Sequence, residues 1–205
     1  MSRPTWQERQ RQLREDAILD AAYDLMLEQG YAEMGMDEIA ARVGISKATL
    51  YQHFASKEDL AVNVIVRSME RSTDEIQNVD PSLRAIEQLE RVLQQAIERK
   101  ANTWATRMTN MPLPVVQHPR YQAQYKHMMA EIARMVDAAK TQGDVVAAIP
   151  TPVIVKALSS LFRADYEETL RASCCSPQEF SKALVSIMFD GIRTGREAKD
   201  ALRQD

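Results

Sequence analysis

Cysteine is nearly absent: the 205 residues hold two, Cys174 and Cys175, adjacent to each other. They offer no disulfide framework, which points to a reducing cytoplasm. Glycine is scarce at six residues, and no run alternates apolar with polar side chains, so nothing predicts a sheet. No stretch of about 18 apolar residues occurs, so no membrane span is expected. The opening MSRPTWQERQRQLRED has no apolar signal core. Three histidines, His53, His118 and His127, share no metal-ligand spacing with one another or with the cysteines. Phosphate loops, nucleophile elbows and HExxH are missing too, so no catalytic residue, metal or cofactor is expected. Excess positive charge is also lacking. The chain carries a net charge of −3, and residues 1–57 hold seven Lys/Arg against nine Asp/Glu. If this protein meets nucleic acid, the cations must act locally: the arm Arg3–Arg14 with Arg42, Lys47 and Lys57.

What the chain does hold is helical pattern, and 45% of its residues are hydrophobic. A chain of this size buries a substantial core, as one large domain or two small ones. The richest stretch is residues 36–60, MDEIAARVGISKATLYQHFASKEDL. Ile39, Ala40 and Val43 give a short helix one apolar face. Gly44 suits a left-handed C-terminal position, and Ser46 can cap the next helix. Leu50 and Phe54, four apart, face inward together. Lys47, Ala48, Thr49, Tyr51, Gln52 and His53 are left on the outer surface, with side chains suited to base edges and phosphates. Ser56 with Asp59 reads as a variant capping box, so a further helix starts at Lys57. Upstream, Ile18, Ala21, Ala22 and Leu25 form a stripe on a preceding helix that ends at Gly30. The unit is a helix-turn-helix in a three-helix head; the bland alternative is a helical hairpin in a globular core.

The segment AILDAAYDLMLEQGYAEMGMDEIAARVGISKATLYQHFASKEDL resembles the N-terminal domain of the TetR family of bacterial transcriptional regulators. IAARVGISKATLYQHF and SKEDL carry most of the resemblance, which covers roughly residues 12–65. It implies an all-α fold: a helix-turn-helix DNA-binding domain over 1–57, with a basic arm at 1–15, and a helical ligand-binding and dimerisation domain over 58–205. It implies a cytoplasmic homodimer that binds a palindromic double-stranded operator, as a repressor, and lets go when a small effector enters. The family's DNA contacts would fall on Lys47, Ala48, Thr49, Tyr51, Gln52, His53 and Lys57; Arg42 and Ser46 complete the candidate set. One departure stands out. The family usually opens its second helix with Thr or Ser, whereas this chain has Gly35-Met36 followed by Asp37 and Glu38, with no hydroxyl for a phosphate.

The remaining two thirds read as further amphipathic helices. The arm TWQERQRQLRE either extends the first helix, as the capping-box spacing of Thr5 and Glu8 favours, or reaches an adjacent minor groove. Tyr121, Tyr125, Met128, Ile132 and Met135 form a helical stripe. Residues 151–173 and 176–195 read as one helix each, with Pro152 and Pro177 in their first turns. Leu158, Phe162, Phe180, Leu184, Ile187, Gly191 and Gly195 are the candidate dimer residues, pairing two helices per subunit in a four-helix bundle. Burial within one chain is the alternative use of the same faces. Trp104, Met108, Tyr121, Tyr125, Met128, Met129, Phe162 and Tyr166 are candidate lining for an apolar or aromatic ligand, against ordinary core packing. A helical ligand carrier without operator binding, or a helical enzyme, are the competing classes.

Overall fold

The computed structural model describes residues 5–102, 111–161 and 166–192. Among them lie ten helices and no strand. They are α1 Trp6–Glu33, α2 Met36–Val43, α3 Lys47–His53, α4 Lys57–Gln77, α5 Ala85–Asn102, α6 Leu113–Val116, α7 Pro119–Thr141, α8 Thr151–Leu161, α9 Glu167–Ser173 and α10 Pro177–Asp190. The chain divides into two units, Met1–Glu70 with Arg107–Gln124, and Arg71–Thr106 with Tyr125–Asp205. No described helix is long and apolar enough to cross a membrane.

The first unit follows its sequence signals closely. The capping box of Thr5 and Glu8 forms, so α1 begins at Trp6 and the arm is helix from there. Gly30 (φ 86°) interrupts α1, as a residue tolerant of positive φ can. Gly44 (φ 76°) ends α2 in the left-handed region. Ser46 Oγ accepts the Thr49 N–H at 3.1 Å and starts α3. Ser56 Oγ accepts the Asp59 N–H at 3.1 Å and starts α4, while the Asp59 carboxylate reaches the N–H of Ala55. These caps leave the apolar faces free to meet. Ile18, Ala22 and Leu25 of α1, Ile39 of α2, Leu50 of α3 and Leu60 of α4 are all fully buried in one cluster with Val115 of α6. Each large aliphatic side chain so enclosed contributes about 1.5–3 kcal/mol. Arg67 of α4, itself mostly buried, donates to Asp20 at 2.6 Å and to the Asp16 carbonyl, which ties α4 to α1.

The second unit builds its core from Ile86, Leu89, Leu93 and Ile97 of α5, Ile132 and Val136 of α7, Ile154 and Leu158 of α8, and Phe180, Val185 and Phe189 of α10. Helix α10 packs along α5. Of the single helix expected over 151–173, the described residues give α8 to Leu161 and α9 from Glu167. Tyr166, just before α9, is not helical. Its hydroxyl donates to the Leu161 carbonyl, and its ring meets Phe180 edge-on with 5.0 Å between centroids. Ser176 and Glu179 form a second capping box at the start of α10.

Candidate nucleic-acid interface

Helix α3 is short, and its position rests on few residues. Leu50 is fully buried and Phe54, just past its end, nearly so. The Ser46 cap fixes its start, with the Ser46 and Thr49 hydroxyls 2.8 Å apart. Lys47, Ala48, Tyr51 and Gln52 are exposed, Tyr51 at 44%, and Thr49 is half-buried. An aromatic ring this open, four residues from a cation on a capped helix, is a surface suited to base edges and phosphates.

The cations around it are already engaged. Lys47 Nζ lies 2.8 Å from the Asp37 carboxylate, whose hydrogen bond holds the ammonium above its ordinary pKa. Arg42 donates through both terminal nitrogens to Glu28, each at 2.8 Å. That bidentate pair raises the guanidinium pKa and lowers the carboxyl's. Lys57 donates to the Ala32 carbonyl at 2.8 Å and sits 4.6 Å over the Tyr31 ring, tying α4 to the end of α1. To reach a phosphate it must leave both. Exposed pairs of the Lys47 and Arg42 kind are screened by solvent and weak, weaker than a charged hydrogen bond to phosphate. A phosphate at either cation would therefore compete readily with Asp37 or Glu28.

His53 departs from its reading as an outward residue. Its side chain is only 7% exposed, and Nδ1 lies 3.2 Å from Glu15 Oε1, which also accepts from Arg11 Nε at 3.0 Å. The imidazole fastens the end of α3 to α1. The partners Glu15, Glu28 and Asp37 went unread because each lies 10 to 38 residues from its cation or ring. Gly35 caps α2 with no side-chain hydrogen bond, as its lack of a hydroxyl requires.

The other candidate residues scatter. Tyr121 packs against the core of the first unit. Met128 and Met129 pack, partly buried, against the core of the second, and Tyr125 is half-buried. Tyr166 is core, with Lys100 Nζ 4.7 Å over its ring and burial pushing its hydroxyl pKa up to about 12. Trp104, Met108, Phe162 and Gly195 lie outside the described residues. Leu158 is fully enclosed by its own chain and Phe180 nearly so. Leu184 is half-buried, and Gly191 and Ile187 are exposed, Ile187 at 70%. Among the described residues, no group of His, Cys, Asp and Glu can hold a metal ion.

Residues 18–64 match the family model described as bacterial regulatory proteins, tetR family. The chain is similar to an HTH-type transcriptional activator, FasR, of Mycolicibacterium smegmatis, at 46% identity over 57 residues, 28% of this chain and 26% of that protein. The chain therefore matches about a quarter of that relative's length. A longer match, at 26% identity over 180 residues, links it to an HTH-type regulator of Staphylococcus aureus and covers 85% of this chain and 92% of that one. Among solved structures, FadR of Bacillus subtilis, in complex with stearoyl-CoA, superposes with a TM-score of 0.72. Its identity is 16%, with 86% of this chain and 98% of that chain covered, which establishes a shared fold. Capped, outward-facing α3, the helices that hold it and the match over 18–64 lead to one assignment: residues 18–64 form a helix-turn-helix head like that of the tetR family of bacterial regulatory proteins.

Proposed function

We propose that the chain is a homodimeric transcriptional regulator, a repressor, that binds a palindromic operator through residues 1–57 and responds to an apolar or aromatic small molecule through residues 58–205. The observation that carries this reading is α3 itself. Lys47, Ala48, Tyr51 and Gln52 face solvent while Leu50 and Phe54 anchor the helix from beneath. Arg42, Ser46 and Thr49 flank that surface, with Ser46 and Thr49 engaged in the cap. His53 and Lys57 act in this reading mainly by holding α3 and α4 against α1.

The dimer reading draws on the outer faces of α8 and α10. Val153 is 56% exposed and Ala157 is exposed on α8; Ala183, Ile187 and Gly191 are exposed at the α10 face. Small and apolar residues in this register allow two helices per subunit to meet across a twofold. Two such subunits would present paired recognition helices to half-sites about one DNA turn apart. The effector reading draws on Tyr125, Met128 and Met129, partly buried and adaptable in shape. The long acyl chain of stearoyl-CoA, bound by the similar FadR protein, is an apolar ligand of that kind. Release follows if the effector prefers a subunit arrangement with badly spaced α3 helices.

Selection from a random duplex library tests the reading. The wild-type dimer enriches a short palindrome, and Tyr51→Ala and Lys47→Ala do not. A helical carrier without operator binding enriches nothing. Addition of long-chain acyl compounds to the selected complex then lowers DNA affinity if the protein is released by an apolar effector of this kind; unchanged affinity removes acyl compounds as the effector.

A further inference from the structure

Helix α1 is longer than its core requires. Residues 6–14 are all exposed, and its buried residues start at Ile18. Nine residues add about 13 Å of helix. Trp6 is 75% exposed at its tip. Burial does not explain this segment, yet the Thr5–Glu8 capping box fixes its start.

One face of it is different from the rest. Trp6, Gln7, Gln10, Arg11 and Arg14 fall within an arc of about 140° at about 100° per residue. They carry cations, amides and an indole, and no acid. Together with Gln52 and His53 of α3 they line an open cleft of about 400 Å³. The cleft is therefore bounded on one side by the end of the helix assigned to base contact. Its floor is held: the Glu15 carboxylate takes hydrogen bonds from both Arg11 and His53. Arg14 has no ion-pair partner among the described residues.

We propose that this cleft is a second DNA-backbone site, taking a phosphodiester of the duplex whose major groove α3 enters. Guanidinium and amide N–H groups are the usual donors to DNA phosphate, and such contacts set register without reading sequence. In a head whose net charge is negative, Arg14 is the least encumbered cation near α3. The arm is thus a rigid strut along the flank of the site and not a loose tail. The inference rests on the DNA-binding reading of α3 and extends the contact beyond it.

The test is fluorescence anisotropy with the selected duplex, in short form and with added flanking base pairs of unrelated sequence, over a series of salt concentrations. Wild type gains affinity from the flanks whatever their sequence. Arg14→Ala loses that gain, weakens binding about five- to tenfold, and lowers the slope of log K against log salt by about 0.9 per subunit. Arg11→Ala/Arg14→Ala does the same more strongly, and Arg14→Lys keeps the slope. Unchanged melting temperatures exclude misfolding of these surface variants. The proposal is overturned if Arg14→Ala and the double variant keep wild-type slope and flank gain while Lys47→Ala weakens binding. If wild type binds no duplex at all, the proposal falls together with the reading of α3.

Discussion

At the scale of single residues, this head carries its own competitor for DNA. Asp37 grips Lys47 and Glu28 grips Arg42 in the free protein. Each phosphate contact must displace a carboxylate that then stays nearby. Asp37→Asn keeps the shape and removes one such charge. It should tighten DNA binding about three- to fivefold, the scale of an exposed pair, measured by anisotropy at fixed salt. Weaker binding by Asp37→Asn would mean that Asp37 positions Lys47 instead of competing for it. These pairings also mark what the sequence could not display. Ser46, Gly44 and Ser56 act on backbone within a few residues, so their roles were legible from spacing alone. Glu28, Asp37 and Glu15 act across the fold, and nothing local identifies them. His53 was read as outward because its neighbours are; only the packing of α1 shows that its ring turns toward Glu15.

At the scale of elements, the turn between α2 and α3 depends on Gly44. Its φ of 76° strains any residue with a Cβ, although a Cβ there would meet open space. Gly44→Ala should cost about 1–2 kcal/mol by urea unfolding, from backbone strain alone. Gly44→Asn should cost less, since asparagine tolerates the left-handed region. The departure from helix at Tyr166 was not legible. Residues 151–173 hold no internal proline or glycine after Pro152, yet Tyr166 is non-helical, held by its hydroxyl to Leu161 and by its ring to Phe180. Burial raises that hydroxyl from an ordinary pKa of 10.0 to about 12. Its folded pKa is above the unfolded one, so the stability it contributes is complete below pH 10 and is lost as pH rises toward about 12. Alkaline unfolding followed by circular dichroism should show less loss over that window in Tyr166→Phe than in wild type.

At the scale of the whole molecule, the account needs two heads on one duplex. The outer faces of α8 and α10 expose Val153, Ala157, Ala183 and Ile187, and a single chain leaves these apolar surfaces in water. Ile187→Glu places a charge at the centre of the proposed helix pairing. Sedimentation equilibrium should show a dimer for wild type at micromolar concentration and a monomer for the variant, with operator affinity falling in parallel. A wild-type monomer removes the dimer from the account. The helices and turns of the three-helix head were legible because each turn is locally encoded, whereas the inward ring of His53 and the packing of Val115 from α6 were not. The faces of the second unit were legible only as apolar stripes: Leu158 and Ile187 look alike in sequence, yet one is enclosed and the other 70% exposed.

The central claim is that α3 lies in the major groove, and a photocrosslink tests it directly. A duplex carrying 5-bromouracil in place of thymine within the selected half-site puts bromine where the thymine methyl projects into that groove. Irradiation of the complex should join the DNA to the peptide containing Tyr51, and Tyr51→Ala should abolish that product while leaving the fold intact. Crosslinks found only outside residues 46–53, in a complex that binds the half-site specifically, would contradict the account.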